Sequence, residues 1–224
     1  MVKSNRKFVL FGLMFLFFVI LSFYTYRVVR EGIHFMLAWN AFLAYIPVLL
    51  VFSFNKYQKR FYLAVPIFLI WLFFYPNSLY LITDLIYIDS RNYMIMVGNY
   101  QGLTYLRDFA DYLAFMHLIL GSLFGLVTAI FSFDYFYGFF KRKHLTLGVS
   151  YFVFIPIIIS IAIYIGRFLR FNSWDVIRVV PLMTSFIESL DTFAWLFIGM
   201  FTILQYLVFG YALLMKPSNK KIVE

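Results

Sequence analysis

The residues of this chain that could do chemistry are amides, carboxylates and arginines placed where long apolar stretches end. Ionisable side chains at membrane depth are functional candidates by default, because hydrocarbon disfavours them unless a partner or a ligand compensates. Arginine also presents a planar fork of donors that matches a phosphate or a carboxylate. On these grounds we predict a polar, ligand-binding site lined by Asn40, Asn77, Tyr80, Asp84, Arg167 and Arg170.

The third apolar stretch is interrupted near its end by Pro76. Proline lacks a backbone donor and disfavours helix in the residue before it, so we expect a break or kink at Tyr75. Asn77 then stands where a new helix would be capped. The polar residues of such a helix, Asn77, Tyr80, Thr83, Asp84, Tyr87 and Arg91, fall within a stripe of about 120°. This pattern favours a short re-entrant or interfacial helix whose polar side faces the bundle.

The fifth apolar stretch ends in a segment that contains Arg167 and Arg170. Two residues three apart on a helix share one face, so the two guanidinium groups are expected to act together. Asn172 followed by Asp175 resembles a capping box, which predicts an outer amphipathic helix that ends at Pro181. We therefore interpret Asn172 and Asp175 as structural caps or ion-pair partners.

Asp84 and the two arginines are predicted to lie at similar depth, because the third and fifth stretches end on the same side. An ion pair between them could be purely structural, or it could leave one arginine to bind a phosphate. Asn40, inside the second stretch, needs a hydrogen-bond partner for its amide. It either forms a structural hydrogen bond between helices or is part of the site. The residues alone leave both interpretations open.

The three histidines are His34, His117 and His144, and each lies in a different segment. His144 falls on the opposite side of the membrane, so topology excludes a site that joins all three, and we expect no metal. His117 is interpreted as a satisfied interior residue or as a proton-handling one. The sequence contains no nucleophile elbow and no phosphate-cradling glycine loop, so no reaction type and no cofactor can be named.

Six apolar stretches of membrane-spanning length predict an all-α, polytopic membrane protein. A transmembrane helix needs about 20 apolar residues, and none of the six contains a charged side chain. The predicted spans are 8–26, 33–54, 61–82, 112–133, 145–165 and 193–215. Because no linker or repeat separates them, residues 1–224 are predicted to form a single membrane domain.

The charged residues between the spans alternate from one side to the other. Twelve of the 19 Lys and Arg residues fall in the segments assigned to the inside, whereas the outer loops hold arginine and no lysine. This positive-inside pattern predicts a bacterial cell-membrane protein with both termini in the cytoplasm. The net charge of +9 then follows from topology, and nucleic acid is not predicted as a partner, because that would require a basic patch on a soluble domain.

Composition supports the same class of protein. The chain is 64% hydrophobic with a mean hydropathy of +0.87, far from a soluble globular profile. It contains no cysteine, which excludes disulfides, iron–sulfur clusters and thiolate zinc sites. Membrane lipids are the partners that the sequence predicts.

Three sequence blocks resemble the signature of a known family. They are Trp39-Asn40 with Ile46-Pro47, then Tyr75-Pro76-Asn77 with Thr83-Asp84, and then Gly166-Arg167 with Arg170 and Asn172-Ser173-Trp174-Asp175. In this order they are similar to an uncharacterised bacterial integral-membrane family, the domain of unknown function 1361. The resemblance implies a membrane fold and no particular activity. Tyr87 occupies a position where the family often has histidine, so the resemblance implies no metal site here.

We therefore predict an integral membrane protein that binds an anionic lipid or a lipid-linked head group in an outer-leaflet polar pocket. Two alternatives stay open. The chain could be an enzyme that acts on a phosphate-bearing envelope substrate, with Asp84 as general base, or it could be a non-catalytic scaffold. A transporter is disfavoured, because the spans carry no mid-helix charge and show no inverted repeat.

Overall fold

The computed structural model describes residues 2–90, 93–96, 102–171 and 179–215. The helices among them are α1 (Val2–Val29), α2 (Gly32–Tyr57), α3 (Phe61–Phe74), α4 (Pro76–Thr83), α5 (Phe109–Lys143), α6 (Leu145–Phe168), α7 (Val179–Glu188) and α8 (Thr192–Leu214). A 3₁₀ helix covers Asp84–Ser90. A strand pair that the sequence did not predict, β1 (Met94–Met96) with β2 (Leu103–Tyr105), is antiparallel.

The prediction of six membrane-spanning helices is confirmed. Six helical segments within the described ranges are long and apolar enough to cross a bilayer. They are Arg6–Val29, Gly32–Tyr57, Phe61–Asp89, Phe109–Lys143, Leu145–Phe168 and Thr192–Leu214. The chain is therefore an all-α, multi-pass membrane protein, while the side on which its termini lie stays a prediction.

The helix that contains the fourth predicted span extends beyond it. The span was predicted to end at Phe133, and α5 continues to Lys143 and leaves only His144 before α6 begins. The added turns are rich in aromatic side chains, and the basic residues Lys141, Arg142 and Lys143 form the last turn. Positive charge at the carboxyl end of a helix is favourable, because it faces the negative end of the helix dipole.

Two compact units make up the chain, and they are described separately. Unit N is Met1–Ala129 and unit C is Ile130–Glu224, so α5 contributes residues to each. The single domain predicted for residues 1–224 stays a prediction.

In unit N, α1 and α2 form a hairpin that turns at Arg30 and Glu31. Arg30 adopts a left-handed conformation with φ of 63°, and its backbone N–H donates to the Tyr26 carbonyl at 2.9 Å. A single left-handed residue ends a helix and redirects the chain. Across the hairpin, the rings of Phe15 and Tyr45 stack with centroids 5.0 Å apart, which adds specific geometry to the apolar contact.

The break predicted at Tyr75 is present but slight. Tyr75 keeps helical angles, with φ of −58° and ψ of −38°, and α4 begins directly at Pro76. Asn77 is not the helix cap that the sequence predicted. Ser78 N–H donates to Tyr75 O at 3.1 Å rather than to Phe74 O, and the Asn77 side chain donates to Phe74 O at 3.0 Å instead. A short helix thus follows the third span, while its re-entrant or interfacial character stays a prediction.

Unit C is built on a contact between α6 and α8 that contains a buried polar cluster. The Gln205 amide nitrogen donates to Ser160 Oγ at 2.8 Å and to the Pro156 carbonyl at 3.1 Å. Thr202 Oγ1 donates to Ser160 Oγ at 3.0 Å. Such hydrogen bonds join helices in surroundings that provide no water for the polar groups.

Two expectations about the segment after the fifth span were wrong. The outer helix does not end at Pro181, because α7 includes Pro181 in its first turn and continues to Glu188. Proline is tolerated there, since the first turn does not use its backbone donors within the helix. Also, α6 ends at Phe168, between Arg167 and Arg170, so the two arginines do not share one helical face.

Candidate functional site

The clearest polar contact among the predicted site residues joins Asn40 to Asp84. The Asn40 Nδ2 atom, on α2, donates to Asp84 Oδ2 at 3.0 Å. Asp84 is only 1% exposed and is the first residue of the 3₁₀ helix that follows α4. Hydrogen bonds to an ionised acceptor are stronger than those between neutral groups. The contact therefore holds the end of the third span against the second.

Two buried hydroxyls fix α4 beneath this carboxylate. Ser78 Oγ donates to the Ala44 carbonyl of α2 at 3.1 Å, and Ser122 Oγ of α5 donates to the Leu81 carbonyl at 3.0 Å. Each hydroxyl reaches the backbone of a neighbouring helix, so α4 is tied on both sides. Asp84 lies three residues after Leu81 and six after Ser78, so these contacts help to fix its position.

Only part of the polar stripe predicted for α4 is buried. Ser78, Leu81 and Asp84 are buried, whereas Asn77 and Tyr80 are half-buried. Asn77 donates to the backbone of α3, and the Tyr80 carbonyl accepts from Thr83 Oγ1 at 2.6 Å. The contacts seen for Asn77 thus serve the turn between α3 and α4.

Arg167 and Arg170 lie in unit C, at the end of α6. Arg167 occupies the last turn of the helix and is half-buried, while Arg170 is exposed and left-handed, with φ of 59°. The pairing of Asp84 with either arginine stays a prediction. Asn172 and Asp175, predicted to be caps or ion-pair partners, lie outside the described residues.

Sequence reasoning missed a second polar cluster in unit N, which contains two of the three histidines. His34 Nδ1 on α2 and His117 Nδ1 on α5 are 2.9 Å apart, and His117 Nε2 lies 2.8 Å from Ser22 Oγ on α1. His117 and Ser22 are 0% exposed and His34 is 1% exposed. A signal was available, because all three residues lie in the halves of their helices that are predicted to be nearest the outer surface.

Neither cluster has the composition of a metal centre. Within the described residues, no group of three or more His, Cys, Asp or Glu side chains is placed to hold a metal ion. Two imidazoles and a serine hydroxyl offer too few of the ligands that structural zinc requires.

Comparison with known proteins places most of the chain in one family model. The model, described as a protein of unknown function (DUF1361), matches residues 39–208. The match includes Asn40, Asp84 and both arginines of the predicted site, but it begins after Ser22 and His34. No curated protein matches the chain, and no solved structure matches it.

Proposed function

Because the chain belongs to the DUF1361 family, for which no function is described, we propose from its geometry that it binds an anionic lipid or a lipid-linked head group at its predicted outer side. The observation that carries the proposal is the Asp84 carboxylate, buried at the end of the third span and held by the Asn40 amide. A carboxylate at that depth costs free energy, and functional roles are the usual reason that membrane proteins retain one.

The Asn40–Asp84 pair is suited to hydroxyl or amine groups of a head group. A carboxylate can accept several hydrogen bonds at its two oxygens, and an amide offers both donors and an acceptor. Asn40 is half-buried rather than fully buried, so the pair lies next to accessible surface. Its position is fixed by the hydroxyl contacts of Ser78 and Ser122, which keeps the carboxylate oriented before a ligand arrives.

The negative charge of a head group requires cations, and as a separate proposal for unit C we assign the binding of an anionic group to Arg167 and Arg170. Arginine binds phosphate through paired N–H groups. Arg170 is exposed, and its left-handed backbone lies just after the end of α6. Arg167 precedes it by three residues in the last helical turn.

A scaffold function is the alternative with a specific observation behind it. Ser78 and Ser122 donate to backbone carbonyls of neighbouring helices, as residues that only hold a bundle together would do. In a pure scaffold, the Asn40–Asp84 hydrogen bond would likewise serve only to hold neighbouring helices together.

Native mass spectrometry of the full chain, released from membranes with its lipids retained, tests the proposal. We expect a phosphate-bearing lipid on the unaltered protein and at least tenfold less of it on Asp84→Asn and on Arg170→Gln. The matched controls are Asp89→Asn, an exposed carboxylate of the same 3₁₀ helix, and Arg27→Gln, an exposed arginine in the last turn of α1. Equal lipid retention by all five proteins would rule out the head-group site and leave the scaffold.

A further inference from the structure

Ser22, His117 and His34 form a continuous chain of polar side chains inside unit N. The chain crosses three helices, since Ser22 lies on α1, His117 on α5 and His34 on α2. The contacts are 2.8 Å and 2.9 Å long, and all three side chains are buried. Phe18 stacks on the His117 ring, with centroids 4.9 Å apart and planes 15° from parallel.

The hydrogen bonds determine which nitrogen carries each proton. Ser22 Oγ lies 2.8 Å from both the Phe18 carbonyl and His117 Nε2. Every contact contains a hydrogen only when Ser22 donates to the carbonyl and accepts from His117 Nε2, and we assign the protons in this way. A neutral imidazole has one N–H and one lone pair, so His117 Nδ1 is the acceptor in its contact with His34. His34 must then donate from Nδ1, which leaves the lone pair of the chain at His34 Nε2.

We propose that this chain is a proton-binding site, in which the histidine pair takes up one proton at Nε2 of His34. Adding that proton keeps both hydrogen bonds of the chain of side chains. His34 continues to donate from Nδ1 to His117, and the contact becomes charge-assisted and therefore stronger. The site differs from the proposed head-group site in its residues, and the two proposals are independent.

The same geometry excludes a second proton. If His117 were also protonated, both Nδ1 atoms would carry hydrogen and face each other across 2.9 Å. Two donors cannot form a hydrogen bond with each other, and two adjacent buried cations repel strongly. Double protonation would therefore require α2 and α5 to separate at this point, which couples the occupancy of the site to the packing of unit N.

The site holds a proton rather than conducting one. A relay from His34 through His117 reaches Ser22, whose hydroxyl ends on the Phe18 backbone carbonyl. A carbonyl accepts a hydrogen bond but has no proton to pass on. The route is closed at α1, so protons enter and leave by way of His34, in the first turns of α2.

A metal ion fits this arrangement poorly. The ring centroids of His34 and His117 are 5.1 Å apart and the Nδ1 atoms 2.9 Å apart, so the nitrogens lie nearly on the line between the rings and point at each other. A metal between them would need two Zn–N distances of about 2.0 Å in a line, and the nitrogens are too close for that.

The order serine–histidine–histidine also resembles the relay of a serine hydrolase, but two features oppose that interpretation. With the protons assigned as above, Ser22 donates to Phe18 O and His117 Nε2 is a donor, so it does not act as the base. Ser22 also lies within the continuous helix α1, where the backbone N–H groups are used by the helix and offer no oxyanion hole.

The effects of other ionisable groups on the surrounding elements must be distinguished from those of the histidines in any titration. They are Tyr24, Tyr26, Arg27 and Arg30 on or after α1, Glu31 and Tyr45 on or before α2, Tyr75 and Asp84 beside α4, and Asp108, Asp111 and Tyr112 at the start of α5. Glu31 is the acid nearest to His34 along the chain, and its carbonyl accepts from the His34 backbone N–H at 3.2 Å. Glu31→Gln is therefore a necessary control.

¹⁵N-histidine NMR of the full chain in lipid nanodiscs tests the proposal. Histidine exchanges protons at about pH 5 to 8, so the three side chains are followed across that range. We expect His117 to carry hydrogen at Nε2 throughout and His34 to carry it at Nδ1. As the pH falls, His34 gains one proton at Nε2 and His117 stays neutral. The third histidine, His144, is exposed and contacts Thr146 Oγ1 at 2.8 Å, so its signals must be assigned separately from those of the pair.

Two matched variants complete the test. Ser22→Ala removes the acceptor of His117 Nε2, so we expect His117 to lose its fixed tautomer, whereas Thr25→Ala removes a buried hydroxyl of α1 that donates to Leu21 O and should leave both histidines unchanged. If Ser22→Ala does not fold, His34→Gln serves in its place and should abolish proton uptake by the pair. The proposal would be overturned by NMR if the two histidines showed the opposite tautomers or took up two protons. It would also be overturned if the two α1 variants had equal effects, or if Glu31→Gln removed the titration. Covalent labelling of Ser22 by a fluorophosphonate would overturn it as well.

Discussion

Gly125 of α5 packs directly against the backbone carbonyl of Ser78 on α4. A Cβ atom added at Gly125 would overlap this oxygen and also lie 3.0 Å from Leu81 Cβ. Glycine is therefore required by the close approach of the two helices. The same approach lets Ser122 Oγ reach the Leu81 carbonyl, so the packing of α5 helps to position Asp84.

The first prediction follows from this contact. Gly125→Ala should lower the free energy of unfolding by about 1–3 kcal/mol, as overpacking of a tight core does, because the obstacle is backbone and cannot rotate away. Gly199→Ala in α8 is the matched control, since a Cβ there meets nothing within 4 Å. Unfolding in mixed micelles measures both variants, and equal stability of the two would contradict the packing described.

The second prediction concerns the Asn40–Asp84 hydrogen bond. Asn40→Leu removes the donor and leaves a buried carboxylate, so we expect a loss of about 1.5–3 kcal/mol, the range for hydrogen bonds to charged groups. The double variant with Asp84→Leu should lose less than the sum of the single variants, because neither partner is then stranded. Asn55→Leu, at an exposed position of the same helix, should change stability little. Strict additivity would show that the two side chains do not interact.

The third prediction concerns Gln205 in unit C, where two effects oppose each other. Its nitrogen donates to α6, and interhelical bonds in membranes average about 0.6 kcal/mol. Its oxygen is buried and has no hydrogen-bond partner among the described residues, which costs about 1–3 kcal/mol. Gln205→Met, of similar length, should therefore be neutral or stabilising. A loss above about 2 kcal/mol in thermal unfolding would mean that the donated bonds dominate.

The fourth prediction concerns topology. Because the chain contains no cysteine, single cysteines report their own accessibility to a membrane-impermeant thiol reagent in intact cells. Asp89→Cys and Ser185→Cys should be labelled, whereas Gln58→Cys and Arg142→Cys should be labelled only after the cells are opened, as the positive-inside pattern requires. Labelling at positions 58 or 142 in intact cells would show that the predicted orientation is wrong.

Local sequence patterns predicted some features of α4 and of the end of α6 but not others. Pro76 marks the start of α4 because the missing N–H is a property of the residue itself. The consequence for Asn77 was not predictable in the same way, since Phe74 O became its acceptor only when Ser78 N–H bonded to Tyr75. Similarly, the spacing of Arg167 and Arg170 implies a shared face only if the helix continues, and a left-handed Arg170 ends that relation.

The sequence by itself determined that six apolar segments cross a membrane, because span length and the exclusion of charge are properties of each segment alone. Only the tertiary structure decided which polar groups meet. Asn40 reaches Asp84, and His34 reaches His117 and Ser22, because of the rotation and depth of helices that are far apart in the chain. A hydropathy average describes one segment and does not identify the helix that packs against it. Contacts between helices could therefore not be predicted from the sequence.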